Sequence, residues 1–242
     1  MKIMVENEFD KCVVESRGIL ISDLVGKNPA FNNADYLFDD FQVIAELKCL
    51  EKDRKNSTSM IQQVSKIIGT ARKAGKINFL PIEKREISSS DLPFEIHCEI
   101  MELYRKPIQA VVKQANKQIK QTKIHLKRPD YIGLLILVND GHSALSPSSI
   151  WDILGVTFSR NRYSSIDSVL FFTVNPMSSH PEIERDLWVW CTTDRSESIK
   201  CPKTLLRNLE VKWFKHLENL TNQKIPAIEV KNVEYMNKVK NV

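Results

Sequence analysis

Glycine is scarce in this chain, seven in 242 residues, and the scarcity removes whole classes of site. Neither G-x-x-x-x-G-K-[ST] nor G-x-G-x-x-G occurs, which argues against P-loop and Rossmann nucleotide binding. Cysteine is also sparse: Cys12, Cys49, Cys98, Cys191 and Cys201 are scattered, odd in number and lack any C-x-x-C pair. Neither a zinc site nor a disulfide framework is suggested, and reduced thiols are the simplest account. The five histidines form no H-x-x-x-H or H-E-x-x-H pattern, and no G-x-S-x-G surrounds Ser146, Ser148 or Ser149. Zinc and serine hydrolases are both disfavoured. Long apolar runs are missing too. The longest, Leu134 to Val138, is far too short to cross a bilayer, and the acidic start (Glu6, Glu8, Asp10) does not read as a signal peptide. The expectation is a cytoplasmic protein with no membrane partner.

What is present is ordinary for a globular chain. Hydrophobic residues make up 42% and charged residues 27%, enough to bury a core without disulfides or structural metal. The length suits a single domain over residues 1–223 with a Lys-rich C-terminal tail, 224–242, expected to fray. The net charge of +5 permits a polyanionic partner without demanding one. Its distribution is more informative: from Arg105 to Arg128 there are eight Lys or Arg and no Asp or Glu. Such a stripe suits a phosphate backbone or, equally, a solvated helix face.

Periodicity predicts an α/β layered domain with a mixed central sheet flanked by helices. A helix is expected around Glu8 to Ser16. Two short strands, Ala34 to Phe38 and Gln42 to Leu50, should form a hairpin across Asp39-Asp40. The polar segment from Asp53 to Thr58 ends that pair. Residues 59–74 read as a helix capped by Ser57 or Thr58. Phe79 to Ile82 has no assigned element, Ser88 to Ser90 a turn, and Phe94 to Met101 a strand. A helix should begin near Pro107, with Ile108, Val111, Val112, Ala115 and Ile119 on one face and Lys113, Lys117 and Lys120 along a flanking stripe. Ile132 to Val138 and Ile166 to Val174 read as buried central strands. Ser149 to Phe158 is expected to be helical, Leu187 to Thr192 a strand, and residues 203–221 an amphipathic helix. Asn139-Asp140-Gly141-His142 reads as a turn. Trp188, Trp190 and Trp213 read as core and helix contacts.

One stretch carries chemistry: Asn33-Ala-Asp-Tyr-Leu-Phe-Asp-Asp-Phe-Gln-Val-Ile-Ala-Glu-Leu-Lys48. On the second strand of the hairpin, Glu46 and Lys48 share one face, about 7 Å apart along the strand, while the other face is apolar. Asp35, at the start of the partner strand, comes within reach of Glu46. Two carboxylates so placed suit a hard divalent cation, Mg²⁺ or Mn²⁺. Glu-x-Lys by itself is a weak signal, since it recurs at Glu210-Val-Lys212 and Glu229-Val-Lys231. Only Glu46-Leu-Lys48 lies on an apolar strand with a strand-borne Asp eleven residues before it.

In these residues the chain resembles the PD-(D/E)XK nucleases, a restriction-endonuclease-like superfamily. Ala34-Asp35 stands for the "PD", with Ala34 replacing the usual proline, and Glu46-Leu47-Lys48 stands for the "EXK". The order of elements resembles the family core over roughly residues 5 to 175, with a C-terminal extension. The resemblance implies a metal-dependent endonuclease with Asp35, Glu46 and Lys48 as catalytic residues and Asp35 and Glu46 as metal ligands. It further implies a supporting Glu on the first helix, for which Glu15 and Glu8 are candidates. A supporting Gln or basic residue on a later helix is implied as well, Gln118 or its rival Gln63. Lys113, Lys117 and Lys120 would meet the nucleic acid, DNA rather than RNA. A homodimer or a targeting partner protein fits such an enzyme, as does a role in restriction, phage defence or repair. The alternative is a domain of the same fold that binds nucleic acid or protein without catalysis.

Overall fold

In the computed structural model, a mixed six-stranded sheet runs through the centre of the chain and helices cover both its faces. The structure describes residues 3–26, 29–50, 57–77, 91–142, 145–159, 163–175, 178–180, 182–196, 198–227 and 240–241. The segment expected from Phe79 to Ile82, the Ser88–Ser90 turn, most of the polar segment after Leu50 and residues 228–239 of the tail lie outside these.

Helix α1 (Val5–Glu15) leads into β1 (Ile19–Leu20), the short α2 (Ile21–Val25), β2 (Tyr36–Phe38), a 3₁₀ turn (Asp39–Phe41) and β3 (Val43–Leu50). Then come α3 (Thr58–Lys73), α4 (Phe94–His125), β4 (Ile132–Asn139), α5 (Pro147–Phe158) and β5 (Ser168–Thr173). The chain continues through β6 (Ser178–His180), β7 (Ile183–Leu187), β8 (Trp190–Asp194), α6 (Lys203–Thr221) and β9 (Lys240–Asn241). The main sheet has the order β1-β2-β3-β4-β5-β8. Its first three strands pair antiparallel, β3, β4 and β5 run parallel, and β8 closes the far edge antiparallel. A small second sheet, β7-β6-β9, brings residues Lys240–Asn241 back to pair with β6, so this part of the expected fraying tail is held by the ladder.

Both faces of the central strands β4 and β5 are buried. Val43, Ala45 and Leu47 of β3 join Leu134, Ile136 and Val138 of β4 in a core shared with α1 and α6, whose Phe9 and Trp213 are fully buried. Ile44 and Leu50 join Leu135, Leu137 and Phe171 beneath α4 and α5. Two-sided burial explains why β4 reads as one unbroken apolar run. Among the tryptophans, Trp213 is in the core and Trp190 stacks on Phe172, while Trp188 donates its indole N–H to Val174, in keeping with the packing role expected of them. Gly133 opens β4 against the backbone: a Cβ there would stand 1.8 Å from the Ser165 carbonyl oxygen.

The hairpin, the Ser57 N-cap and the helices over 58–73, 147–158 and 203–221 follow the sequence pattern. The Asn139–His142 turn does too, with the Asn139 amide bridging the backbone N–H and carbonyl of His142. Three elements differ. Phe94 to Met101 is not a strand but the first turns of a 32-residue helix α4, and Pro107 lies inside that helix rather than at its start. Phe94, Ile96, Cys98 and Ile100 alternate as a strand would, yet Ile96 and Ile100 are also four apart. Packing resolves the ambiguity: Ile96 and Ile100 are buried against Ala71 and Ile77, while Phe94 is 80% exposed. At Pro107 the helix forgoes one N–H donor, and neighbouring residues Ile108 and Val112 anchor it to the sheet. The strand expected over Leu187–Thr192 is split into β7 and β8 at Trp188-Val189, where Val189 bonds to Thr173.

Candidate functional site

Strand β2 pairs with only the first residues of β3, Tyr36 opposite Ala45 and Phe38 opposite Val43. Asp35 extends the ladder by one step, its N–H donating to the Ala45 carbonyl. Beyond that point the Asp35 side chain takes over from the backbone. Its Oδ2 accepts the Leu47 N–H at 2.8 Å. The β2 side of β3 therefore opens at Glu46, where the chemistry-bearing residues begin.

Glu46 is fully buried, and neither of its carboxyl oxygens has a hydrogen-bond partner in good geometry. Lys48 Nζ makes an ion-pair contact with Glu46 Oε1. Burial raises the Glu46 carboxyl to about 8, helped by the neighbouring Asp35 and opposed by Lys48. Burial also raises Asp35, opposed by the Leu47 N–H and by Lys48. The two carboxyls thus shift one another, as groups sharing a site do. Glu46 is buried and not on a solvated surface, and a buried carboxyl is costly unless something compensates it, as Lys48 does in part.

A polar cleft of about 230 Å³ opens beside these residues, walled by Asp35, Leu47, Lys48, Asn33 and Tyr36 and by Glu6, Asn7 and Asp10 of α1. Tyr36 donates its hydroxyl to Asp10 Oδ1 at 2.9 Å, which holds that carboxylate at the rim. A larger cavity of about 650 Å³ lies between α5 and the β5–β8 edge. It is mainly apolar and contains none of the hairpin carboxylates, so the smaller cleft is the one with convergent chemistry.

The supporting residues divide. Gln118 of α4 does not line the cleft but holds a residue that does, donating its amide N–H to the Asn33 carbonyl at 2.9 Å, while its Oε1 is buried without a partner. Thr122, one turn on, accepts the Ala34 N–H at 2.7 Å. Together they fix the segment that delivers Asp35. Gln63 is elsewhere, bonded to Ser59 on its own helix. Glu8 and Glu15 are on the far side of α1, turned to α6: Glu8 meets Lys11 and His216, and Glu15 meets Lys212 at 3.4 Å. The acids of α1 that line the cleft are Glu6 and Asp10, which sequence reasoning passed over. The signal was available, since Phe9, Cys12 and Val13 mark the core face, and that face fixes which acids flank it. Lys113, Lys117 and Lys120 are exposed on α4. At 100° per residue, Lys113 and Lys120 lie roughly 140–160° around the helix from Gln118, and none of the three lysines lines the cleft.

The donor set can be tested against a metal. Asp35 and Glu46 supply hard carboxylate oxygens, and Glu46, whose buried oxygens lack a well-formed hydrogen bond and meet only the Lys48 ammonium and Asp35, has lone pairs that a bound cation would satisfy. Among the described residues no group of three or more His, Cys, Asp or Glu forms a ready-made metal cage. Two carboxylates with water and substrate oxygens are the usual complement for Mg²⁺, so the residues fit it. Comparison with protein-family models, with curated proteins and with solved structures finds no match, and the functional reading rests on this geometry.

Proposed function

We propose that this chain is a metal-dependent nuclease that hydrolyses phosphodiester bonds, with DNA the favoured substrate. The observation that carries the reading is the coupling of buried Glu46 to Asp35 and Lys48, two residues that line an open polar cleft. The order α1–β1–α2–β2–β3–α3–α4–β4, with the acids on β3 and just before β2, supports a restriction-endonuclease-like core.

Asp35 and Glu46 would hold Mg²⁺ or Mn²⁺. When bound, the ion favours hydroxide over water and offsets charge on the leaving oxygen. Asp35 is oriented by the Leu47 N–H, which aims its remaining lone pairs at the cleft. Lys48 orients the attacking water and faces the negative charge that develops on the phosphate oxygens. Gln118 and Thr122 hold residues 33–34 so that Asp35 keeps its place. A cytoplasmic DNA endonuclease of restriction, phage-defence or repair type is the biological setting this reading favours. It would act as a homodimer or beside a targeting protein.

The test is cleavage of plasmid, single-stranded DNA and RNA with Mg²⁺ or Mn²⁺, comparing wild type with Asp35→Asn and Lys48→Ala. Metal-dependent cutting lost in both variants supports the assignment and identifies the substrate. Cutting that survives both substitutions removes this site from the chemistry. Salt-sensitive binding in EDTA with no cutting under either metal would favour a non-catalytic binding domain.

A further inference from the structure

A feature outside the cleft lies on the segment that supplies its Asn33 and Asp35. Phe31 and His125 stack with ring centroids 4.1 Å apart and planes 24° from parallel. Phe31 is half-buried and His125, the last residue of α4, is exposed. The segment from Phe31 to Asp35 runs back along α4. His125 meets Phe31, Thr122 meets Ala34 and Gln118 meets Asn33. Gln118 and His125 are seven residues apart, nearly one above the other on the helix and about 10 Å apart along its axis. The stacked pair therefore stands about 10 Å along α4 from Gln118, which bonds to the cleft-lining Asn33.

Fastening the segment does not require the ring pair. Two hydrogen bonds, Gln118 to Asn33 and Ala34 to Thr122, already tie residues 33–34 to α4. The stretch of α4 that carries His125 is neutral to basic in its own residues. Lys117 and Lys127 are exposed, Ile124 is 67% exposed, and no Asp or Glu occurs from Arg105 to Arg128. Exposed aromatic faces beside cationic side chains are what unpaired bases stack on, since every base has a π-face and the phosphates follow the lysines. Bases inside a duplex are covered by their neighbours and cannot use such a surface.

We propose that Phe31 and His125 form a stacking platform for an unpaired base of a single-stranded nucleic acid, and that this platform feeds the strand to the Asp35–Glu46–Lys48 cleft. The platform deepens the nuclease reading and rests on it for the strand's destination, but its binding role can be measured without cleavage. Phe31 holds the inner position and His125 the outer one. Lys117 and Lys127 neutralise adjacent phosphates. Specificity is for strandedness rather than base sequence, because stacking tolerates every base.

The experiment is fluorescence anisotropy in EDTA with a labelled oligothymidylate, the same strand annealed to its complement, and a single-stranded RNA of equal length. Wild type should bind the single strands more tightly than the duplex. Phe31→Ala and His125→Ala should each weaken single-strand binding by roughly 5- to 100-fold and leave duplex binding within about twofold. His125→Tyr should restore it. Phe31→Trp should keep binding, with its fluorescence quenched by the single strand and not by the duplex. That variant guards against an alanine variant that simply fails to fold. Equal affinity for both strand forms in wild type would overturn the proposal, as would equal losses on single strand and duplex or an unquenched Phe31→Trp. If Asp35→Asn abolishes no cleavage while the strandedness preference follows the rings, the catalytic reading fails and the platform stands.

Discussion

The carboxylate of Asp35 occupies the ladder position that a backbone carbonyl would fill, accepting the Leu47 N–H at 2.8 Å. One side chain thus completes the sheet edge and, in the proposed nuclease, would also hold the metal. Asp35→Asn keeps an oxygen for Leu47, so thermal stability should stay near wild type while metal binding and cleavage collapse. Asp35→Ala loses both, and should cost an additional 1–2 kcal/mol or so through the orphaned N–H. Calorimetry on the two variants separates these roles. Equal melting temperatures would remove the structural part.

Glu46 sets a pH dependence. Its carboxyl lies at about 8 in the folded chain against an ordinary 4.5. Between those values the folded state binds a proton that the unfolded state has lost, so stability falls as pH rises from about 4.5 to about 8 and levels off above. Glu46→Gln should flatten that slope and raise stability at pH 9. Ligand binding runs the other way. Because the carboxylate must ionise to meet a cation, Mn²⁺ affinity should climb through pH 8 and release a proton. Titration calorimetry in two buffers of different ionisation enthalpy reads that proton directly.

Lys48 should matter to chemistry more than to metal retention. Lys48→Met is expected to lower the cleavage rate by about 10² or more. At pH 9, where Glu46 is ionised, Mn²⁺ binding should persist. Loss of binding and cleavage together would make Lys48 a structural counter-charge for Glu46 and not a participant.

The two faces of α1 make opposite predictions. Glu6→Gln and Asp10→Asn alter the cleft and should reduce cleavage by roughly tenfold or more. Glu15→Gln removes only an exposed contact with Lys212 and should leave activity unchanged, with a stability change within about 0.5 kcal/mol. A strong activity loss in Glu15→Gln, with Glu6 and Asp10 variants unaffected, would place the supporting acid on the other face.

Gly133→Ala tests the packing that holds β4 beneath the connection to β5. The added methyl would overlap the Ser165 carbonyl, which cannot move as a side-chain tip can. A loss of about 2 kcal/mol or more is expected in urea unfolding.

Much of this protein was legible in the order of its residues. The alternation Glu46-Leu-Lys48, the apolar run at Leu134 to Val138 and the turn residues Asp39-Asp40 each report a local rule: period two, two-sided burial, or backbone tolerance. They therefore predict the hairpin, the central strands and the acid pair before any contact is known. The strand reading of Phe94 to Met101 failed because Ile96 and Ile100 satisfy both periods, and only contact with α3 favours the helix. Long-range packing decided what sequence spacing leaves open. The rotation of α1 against α6 sends Glu8 and Glu15 away from the cleft and leaves Glu6 and Asp10 beside it. The crossing of α4 over the sheet sets Gln118 against Asn33 and His125 against Phe31, residues separated by 85 positions or more in the chain. Periodicity states which face of an element is apolar, but the neighbour that covers it, and hence the direction of every polar residue at its border, exists only in the assembled fold.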